Sequence, residues 1–501
     1  MDNETVIVIG GGIAGLTAAS ILAKEGLQVT LLEAHHQTGG CAGTFRRKKY
    51  VFDVGATQVA GFEEGGIHAR IFNYLDTPLP EAKVLDLACL VDLCDGSEPI
   101  KIWHDPKKWA KERKEQFPNS NLFWHLCSEL HKINWDFINR NPILPTRNLW
   151  DFLELTKAIR IKTLASALLT SISVTDLLRL CNCNTNIRLK KFLDLQLKLY
   201  SQESANKTAA LYGASVLQMA QSPLGLFHLQ DSMQSLSEQL SKSILNTNGR
   251  ILLRHKAIKL KHIKSSIPWT VEITTTNQKR VELKANDIIF TLPPQNLLNL
   301  MTIKNGMPKS YRKRLESLSK PSGALVFYGA IKRLLTTKVI PPHIQILTEE
   351  FGSLFISISQ EGDGRAPTGE ATVIASAFTN TNSWISLSPE SYQNKKEIVL
   401  RKMILELNKY LKVNNDMWLH KELATPKSFA FWTGRSNGIV GGLGQNPSNF
   451  GIFGLASRTP IQGLWLCGDS IHPGEGTAGV SQSALMACRQ LLASKGKNLV
   501  I

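Results

Sequence analysis

The sequence predicts an α/β fold with α+β insertions, built on a Rossmann-type nucleotide-binding domain, and three observations predict it. A strand–turn–helix–strand unit opens the chain as "VIVIGGGIAGLTAASILAKEGLQVTLLEA". A strand, a glycine-rich turn and a helix in the same style close it as "LWLCGDSIHPGEGTAGVSQSAL". Further strand-like runs return only from residue 250, after a long stretch of helical spacing, so the nucleotide domain is assembled from separated pieces.

Residues 5–9 read as a short buried strand, 13–25 as a helix closed by Gly26 and 28–32 as a second strand, a βαβ start. Gly10, Gly12 and Gly15 satisfy G-x-G-x-x-G at the strand–helix junction, with Ile13 and Ala14 between the last two. The first glycine permits the tight turn, the second lets the backbone approach a pyrophosphate, and the third lets helix and strand pack closely. The helix start offers unpaired N–H groups and a positive dipole end to phosphate. Glu33 ends the second strand, where a carboxylate accepts from ribose hydroxyls and disfavours a 2′-phosphate, which argues against NADP.

Between about 100 and 245 tryptophans and leucines recur at helical spacing. Strand-like runs follow at 250–254, 269–275, 287–291, 324–331, 371–377 and 463–468, and a last helix at 479–494. The expected division is 1–75 for the first part of the nucleotide domain and 76–240 for a mainly helical, substrate- and membrane-facing region. Residues 241–300 supply a middle nucleotide-binding part, 301–455 a substrate domain with a β-sheet, and 456–501 the C-terminal nucleotide-binding part.

Composition bounds the partners. A formal charge of +17 with 43% hydrophobic residues describes a globular protein attracted to something anionic. The basic clusters, "RRKK" at 46–49, "KKWAKERK" at 107–114, "KAIRIK" at 157–162 and "RHKAIKLKHIK" at 254–264, carry no nucleic-acid-binding pattern, which leaves solvated basic faces or an anionic membrane surface. Eight scattered cysteines without C-x-x-C spacing indicate neither a zinc site nor a disulfide framework, so no metal is expected. No signal peptide and no stretch of roughly 18 apolar residues is present, so the expected location is the cytoplasmic side of a membrane, held peripherally. The uncharged "TLASALLTSISV" at 163–174 reads either as a buried core helix or as an interfacial segment.

The segment after Glu33, "AHHQTGGCAGTFRRKKYVFDVGA", resembles the extended motif of two-domain FAD oxidoreductases. There a second glycine pair, here Gly39 and Gly40, lies along the pyrophosphate and ribitol, and Asp53 and Gly55 match the segment near the flavin. In the C-terminal half the resemblance places Asp469, after Gly468, on a ribitol hydroxyl and Gly479-Val480 at a helix start facing the pyrimidine end of the flavin. That dipole would stabilise negative charge on a reduced flavin. Ala257 sits where this family touches adenine through its backbone, although a plain sheet residue fits it equally. No second G-x-G-x-x-G follows a strand, since "GGLGQNPSNFG" at 441–451 fails the spacing. A quinone or oxygen acceptor therefore fits better than a docked nicotinamide.

With both ends in place the chain resembles, nearly end to end, the carotenoid desaturase and isomerase group of the flavin amine oxidase superfamily, in particular cyanobacterial carotenoid C-3′,4′ desaturases. The segments that carry this include "FDVGATQVAGFEEGGIHARIF", "GLFHLQDSMQSLSEQL", "GDGRAPTGEATVIASAF" and "GLASRTPIQGLWLCGDSIHPGEGTAGVSQSAL". Asp231 departs from the family's usual glycine in "LQGSMQ", and 269–285 is short and Lys-rich.

The resemblance implies a two-domain FAD fold of the flavin amine oxidase/phytoene desaturase kind and hydride removal from a long polyene at a membrane surface, introducing a double bond. The sister prolycopene isomerases use the same fold with no net oxidation, and a flavin-free escort of prenylated proteins shares a related one. His472, Glu475 and Arg458 are the catalytic candidates near the flavin by motif. The alternatives for them are a hydrogen-bonded loop histidine, a helix cap and a structural ion pair. His35 and His36 are expected on the adenine side, far from the chemistry.

Overall fold

The computed structural model describes residues 4–319, 322–333 and 340–501. Its nucleotide-type sheet is built from β1 (Thr5–Ile9), β2 (Gln28–Glu33), β3 (Arg250–Leu253), β4 (Asp287–Phe290) and β5 (Leu464–Leu466). All are parallel, in the spatial order β5-β4-β1-β2-β3. Adjacent residues of β1 serve two layers, as the period of two along a strand demands. Val6 and Val8 pack into the helical layer with Leu16, Ile21 and Leu485. Ile7 and Ile9 face Trp269, Val271 and Leu260 of a three-stranded antiparallel sheet. The helical layer is α1 (Ile13–Lys24), flanked by α2 (Gln234–Asn246) and α3 (Thr477–Ser494), so both chain ends and a central segment meet on one face.

The second sheet has seven strands, running from Trp418–Ala424 through Gly323–Lys332, Glu370–Thr379, Gly352–Ile358 and His343–Thr348 to Leu87–Asp92 and Ile100–Trp103. Its last two strands come from the stretch read as helical and substrate-facing. The pairing of His343–Thr348 with Leu87–Asp92 is parallel, which a local reading of hydrophobic alternation has no means of finding.

The helical region packs on its own core of Trp109, Phe117, Trp124 and Phe192. Within it, the 163–174 segment is not one buried helix. A short helix, Ile161–Ala167, ends in turns before Ser173 caps the next helix, Val174–Leu180. Ile161 is 87% and Leu168 82% exposed, which removes the core-helix reading. No helix among the described residues is long and apolar enough to cross a membrane.

A buried charge network joins the loop between Gly352–Ile358 and Glu370–Thr379 to the segments around Asp53 and Met233. Asp53 accepts hydrogen bonds from Thr44 Oγ1 (2.9 Å), Met233 N (2.9 Å) and Arg365 Nε (3.1 Å). The same Arg365 donates to the Leu229 carbonyl and contacts Asp363 at 3.4 Å. Asp53 is thus a buried structural carboxylate that does not itself line the cavity, whereas Val54 and Gly55 of the same segment do. Asp231 stands at φ +64°, in the left-handed region, which explains why a glycine also suits this position. Aspartate tolerates that conformation better than most side chains.

Candidate active site

The site is built on a cradle of glycines at the carboxyl ends of β1 and β2. Gly10 has φ +107°, and a Cβ there would lie 2.4 Å from Thr291 Oγ1. A Cβ on Gly15 would sit 1.9 Å from the Gly10 carbonyl oxygen, so helix and turn meet with no room for a side chain. A Cβ on Gly12 would meet nothing within 4 Å. Gly12 faces open cavity, as a backbone waiting for a bulky group does, with Ile13 and Ala14 beside it on the wall. The second glycine pair lies against the first: Gly39 N donates to the Gly11 carbonyl at 2.8 Å, and a Cβ on Gly40 would come 3.2 Å from Gly12 Cα.

Glu33 is pinned by two backbone donors, Gly11 N to Oε2 and His35 N to Oε1, both at 2.7 Å. Burial pushes its carboxyl up from the ordinary value, while those N–H groups pull it down. His35, His36, Lys256 and Ala257 line the same end of the cavity.

The C-terminal segment supplies the opposite wall. Gly468 turns at φ +123° as the chain leaves β5. The Asp469 carboxylate that follows accepts from Arg435 Nη2 at 2.6 Å. Gly476 caps α3 without a side-chain hydrogen bond, leaving the first N–H groups of Thr477, Ala478 and Gly479 beside the cavity that Val480 also lines. A Cβ on Gly479 would lie 2.6 Å from the Gly474 carbonyl oxygen, so the loop folds tightly back on the helix.

The three catalytic candidates separate. Arg458 binds Asp151 (Nη2 to Oδ1, 3.1 Å) and stacks over Trp465 at 4.7 Å. It is a structural ion pair away from the cavity, because the buried carboxylate it neutralises belongs to the helix Leu149–Ala158. His472 and Glu475 do line the cavity. Burial pushes the His472 imidazole down to about 4, so it is neutral at physiological pH, and both its ring nitrogens lack partners among the described residues. Burial holds the Glu475 carboxyl well above the ordinary carboxylate range, with Asp469 adding to that effect and Gln202 and Arg435 opposing it.

Four residues at this wall carry no sequence signal of their own. Gln202, at φ +61°, donates Nε2 to Glu475 Oε2 at 3.2 Å. Tyr212 lines the cavity and donates its hydroxyl to the Tyr200 carbonyl at 2.6 Å. Arg435 holds Asp469, and Gly441 lets these loops touch, since a Cβ there would overlap Gln202 Nε2 and Glu475 Oε2. The "GGLG" run that fails as a second nucleotide motif is therefore a packing device. A Cβ on Gly442 would lie 2.2 Å from the Asp469 carbonyl oxygen.

Gly10, Gly12, Glu33, Arg435, Asp469, His472 and Glu475 open on one cavity of about 1950 Å³. It runs from the glycine cradle, past Asp469 and Glu475, to an apolar wall of Leu155, Ile159, Leu164, Tyr212, Met219 and Phe450. A dinucleotide cradle joined to an apolar chamber defines a flavin-dependent oxidoreductase, with FAD as its cofactor. The open space at Gly12 and the uncapped N-terminus of α3 fit such a ligand. Accordingly, the family profile of the flavin containing amine oxidoreductases matches residues 13–492, and the chain belongs to that family.

Prolycopene isomerase 1 of an Oncidium hybrid cultivar is 25% identical over 521 residues, 99% of this chain and 85% of that one. The prolycopene isomerase of Daucus carota is 24% identical over 98% of this chain and 80% of its own length. Putrescine oxidase bound to putrescine superposes with a TM-score of 0.65 at 15% identity, covering 99% of each chain, which shows a shared fold. An FAD enzyme of this family leaves no place for the flavin-free escort reading.

Proposed function

We propose that the protein is an FAD-dependent carotenoid desaturase that introduces a C-3′,4′ double bond. The observation that supports this is one cavity of about 1950 Å³ lined both by the glycine cradle and by an apolar wall. Bound FAD supplies a two-electron acceptor for hydride. Gly10, Gly12, Gly15, Gly39 and Gly40 would cradle the pyrophosphate, Glu33 would take the adenosine ribose, Ala257 would border the adenine, Asp469 would hold the ribitol, and Gly55 would stand near the flavin. The α3 N-terminus at Gly479 and Val480 supports negative charge at the pyrimidine edge.

The apolar chamber excludes water. His472, neutral and unpaired, is the proposed acceptor for the proton lost from the carbon next to the hydride donor. Oxygen or a quinone is the proposed final electron acceptor.

A second reading, redox-neutral isomerisation, is supported by Glu475, a carboxyl at the chamber wall that burial shifts towards its protonated, proton-donating form. It is also supported by the full-length likeness to prolycopene isomerases. The mass of the product separates the two in a carotenoid-producing host. A pigment two hydrogens lighter than its precursor supports the desaturase; one of equal mass and altered absorption fine structure moves the assignment to the isomerase.

The substrate is a membrane-dissolved hydrocarbon under either reading, and the apolar mouth suits delivery from a lipid surface. Leu164 and Ile452 line the cavity while being 58% exposed, and Phe152, Ile161 and Leu168 project nearby in sequence beside Lys157, Arg160 and Lys162. An apolar lip with a cationic rim is the arrangement that docks peripherally on anionic lipid.

A further inference from the structure

Arg435 lies just beyond the helix Pro426–Thr433, where no nucleotide motif points, yet its guanidinium reaches the core of the site. Nη2 binds Asp469 Oδ2 at 2.6 Å and Nε donates to the Ile439 carbonyl. Only 11% of the Arg435 side chain and 14% of that of Asp469 are exposed, so the pair is largely shielded from solvent. The other cationic residues on the cavity wall, Arg46, Arg47, Lys256 and Lys396, are exposed or half-exposed. Burial pushes the carboxyl of Glu475, also at this wall, towards its uncharged form. Arg435 and Asp469 therefore form a shielded pair of opposite charges at the wall where the cradle meets the chamber.

We infer that Arg435 is a positioning residue that sets the redox poise of the bound flavin: it orients Asp469 toward the ribitol and cancels that carboxylate's charge. Two-electron reduction adds negative charge to the flavin. In a shielded site an uncompensated carboxylate repels that charge strongly, whereas a neutral pair does not. Removing the cation while leaving Asp469 in place must therefore disfavour the reduced cofactor. The inference rests on the FAD-holding part of the proposed function and is independent of the polyene.

The test uses the full chain loaded with FAD, as wild type and as R435K, R435Q and R435M. It reads the midpoint potential against reference dyes and the affinity of the oxidised flavin for sulfite, which binds more tightly where negative charge is supported. R435M and R435Q are expected to be poised more negative than wild type and to bind sulfite at least tenfold more weakly, with R435K close to wild type. For a two-electron couple a tenfold change in the reduced-to-oxidised ratio is about 30 mV. R435Q retains a donor for Asp469 and carries the test if R435M releases its flavin. Potentials and sulfite affinities unchanged in R435Q and R435M overturn the inference. So does an R435K variant displaced as far as R435M, since packing rather than charge would then be responsible. A wild-type chain that takes up no FAD defeats the cofactor-holding reading itself, an outcome distinct from bound flavin with an unmoved potential.

Discussion

Gln202 donates from Nε2 to Oε2 of Glu475 across 3.2 Å, linking the end of the helix Ile187–Ser201 to the loop that precedes α3. The bond joins the helical region to the cofactor domain at the wall of the chamber, and among the described residues Glu475 Oε1 has no partner. The chemistry of this carboxyl is the sharpest available discriminator between the two proposed reactions.

Glu475→Gln keeps a neutral side chain of the same shape. If Glu475 donates a proton to the polyene, turnover falls about 100-fold or more, the usual contribution of a general acid. If hydride abstraction with His472 as proton acceptor is the reaction, E475Q turns over at close to the wild-type rate and His472→Gln carries the loss of about 100-fold. Product formation by the two variants under saturating pigment decides between them.

The glycine cradle predicts opposite costs for two alanines. Gly12→Ala places its methyl in open space, so thermal stability of the FAD-free protein is unchanged, but the methyl stands where the pyrophosphate approaches. FAD affinity is expected to drop at least about tenfold, or ~1.4 kcal/mol. Gly15→Ala drives its methyl into the Gly10 carbonyl and lowers stability with or without cofactor. Melting curves with and without FAD check both; equal effects of the two substitutions would rule this assignment of roles out.

Two deeply buried histidines set a pH dependence. Burial lowers His68 to about 4 and His343 to about 3, so the folded protein holds both neutral where the unfolded chain begins to take up protons near 6.5. The unfolded state thus binds more protons below that value. Stability is fully present above about pH 6.5 and is lost as pH falls towards 4. Each histidine costs up to about 1.4 kcal/mol for every pH step of one over which the unfolded chain alone is protonated. His343 has no partner for either ring nitrogen among the described residues, so His343→Leu should flatten the slope of melting temperature against pH between 4 and 6.5.

Arg365→Met should cost about 3–5 kcal/mol, because it leaves Asp53 and Asp363 buried without their cation. Urea titration of the FAD-loaded protein measures it. A loss under about 1 kcal/mol would mean that the carboxylates find other partners.

At the chamber mouth, replacing Ile161 and Leu168 together by serine should weaken flotation with acidic liposomes while leaving FAD content unchanged, since neither side chain lines the cavity. Flotation equal to wild type at low salt counts against docking through this lip.

The nucleotide-binding half of the fold was legible in the amino-acid sequence. Its elements are local: the strand Thr5–Ile9, the turn at Gly10 to Gly15, the helix Ile13–Lys24 and the acid at Glu33 follow one another within reach of short-range periodicity and turn chemistry. The closing strand and helix carry the same local signature. The tertiary structure alone decided the rest, because it depends on which distant segments meet. It put Asp53 in a buried network with Arg365, and of the two readings open for Arg458 it chose the ion pair, with Asp151, since a carboxylate or guanidinium is claimed by the nearest opposite charge in space. It brought Leu87–Asp92 into a sheet with His343–Thr348, and Gln202 and Arg435 to Glu475 and Asp469 from positions 273 and 34 residues away. No spacing along the chain encodes those meetings; they follow from burying several apolar faces against one another at once.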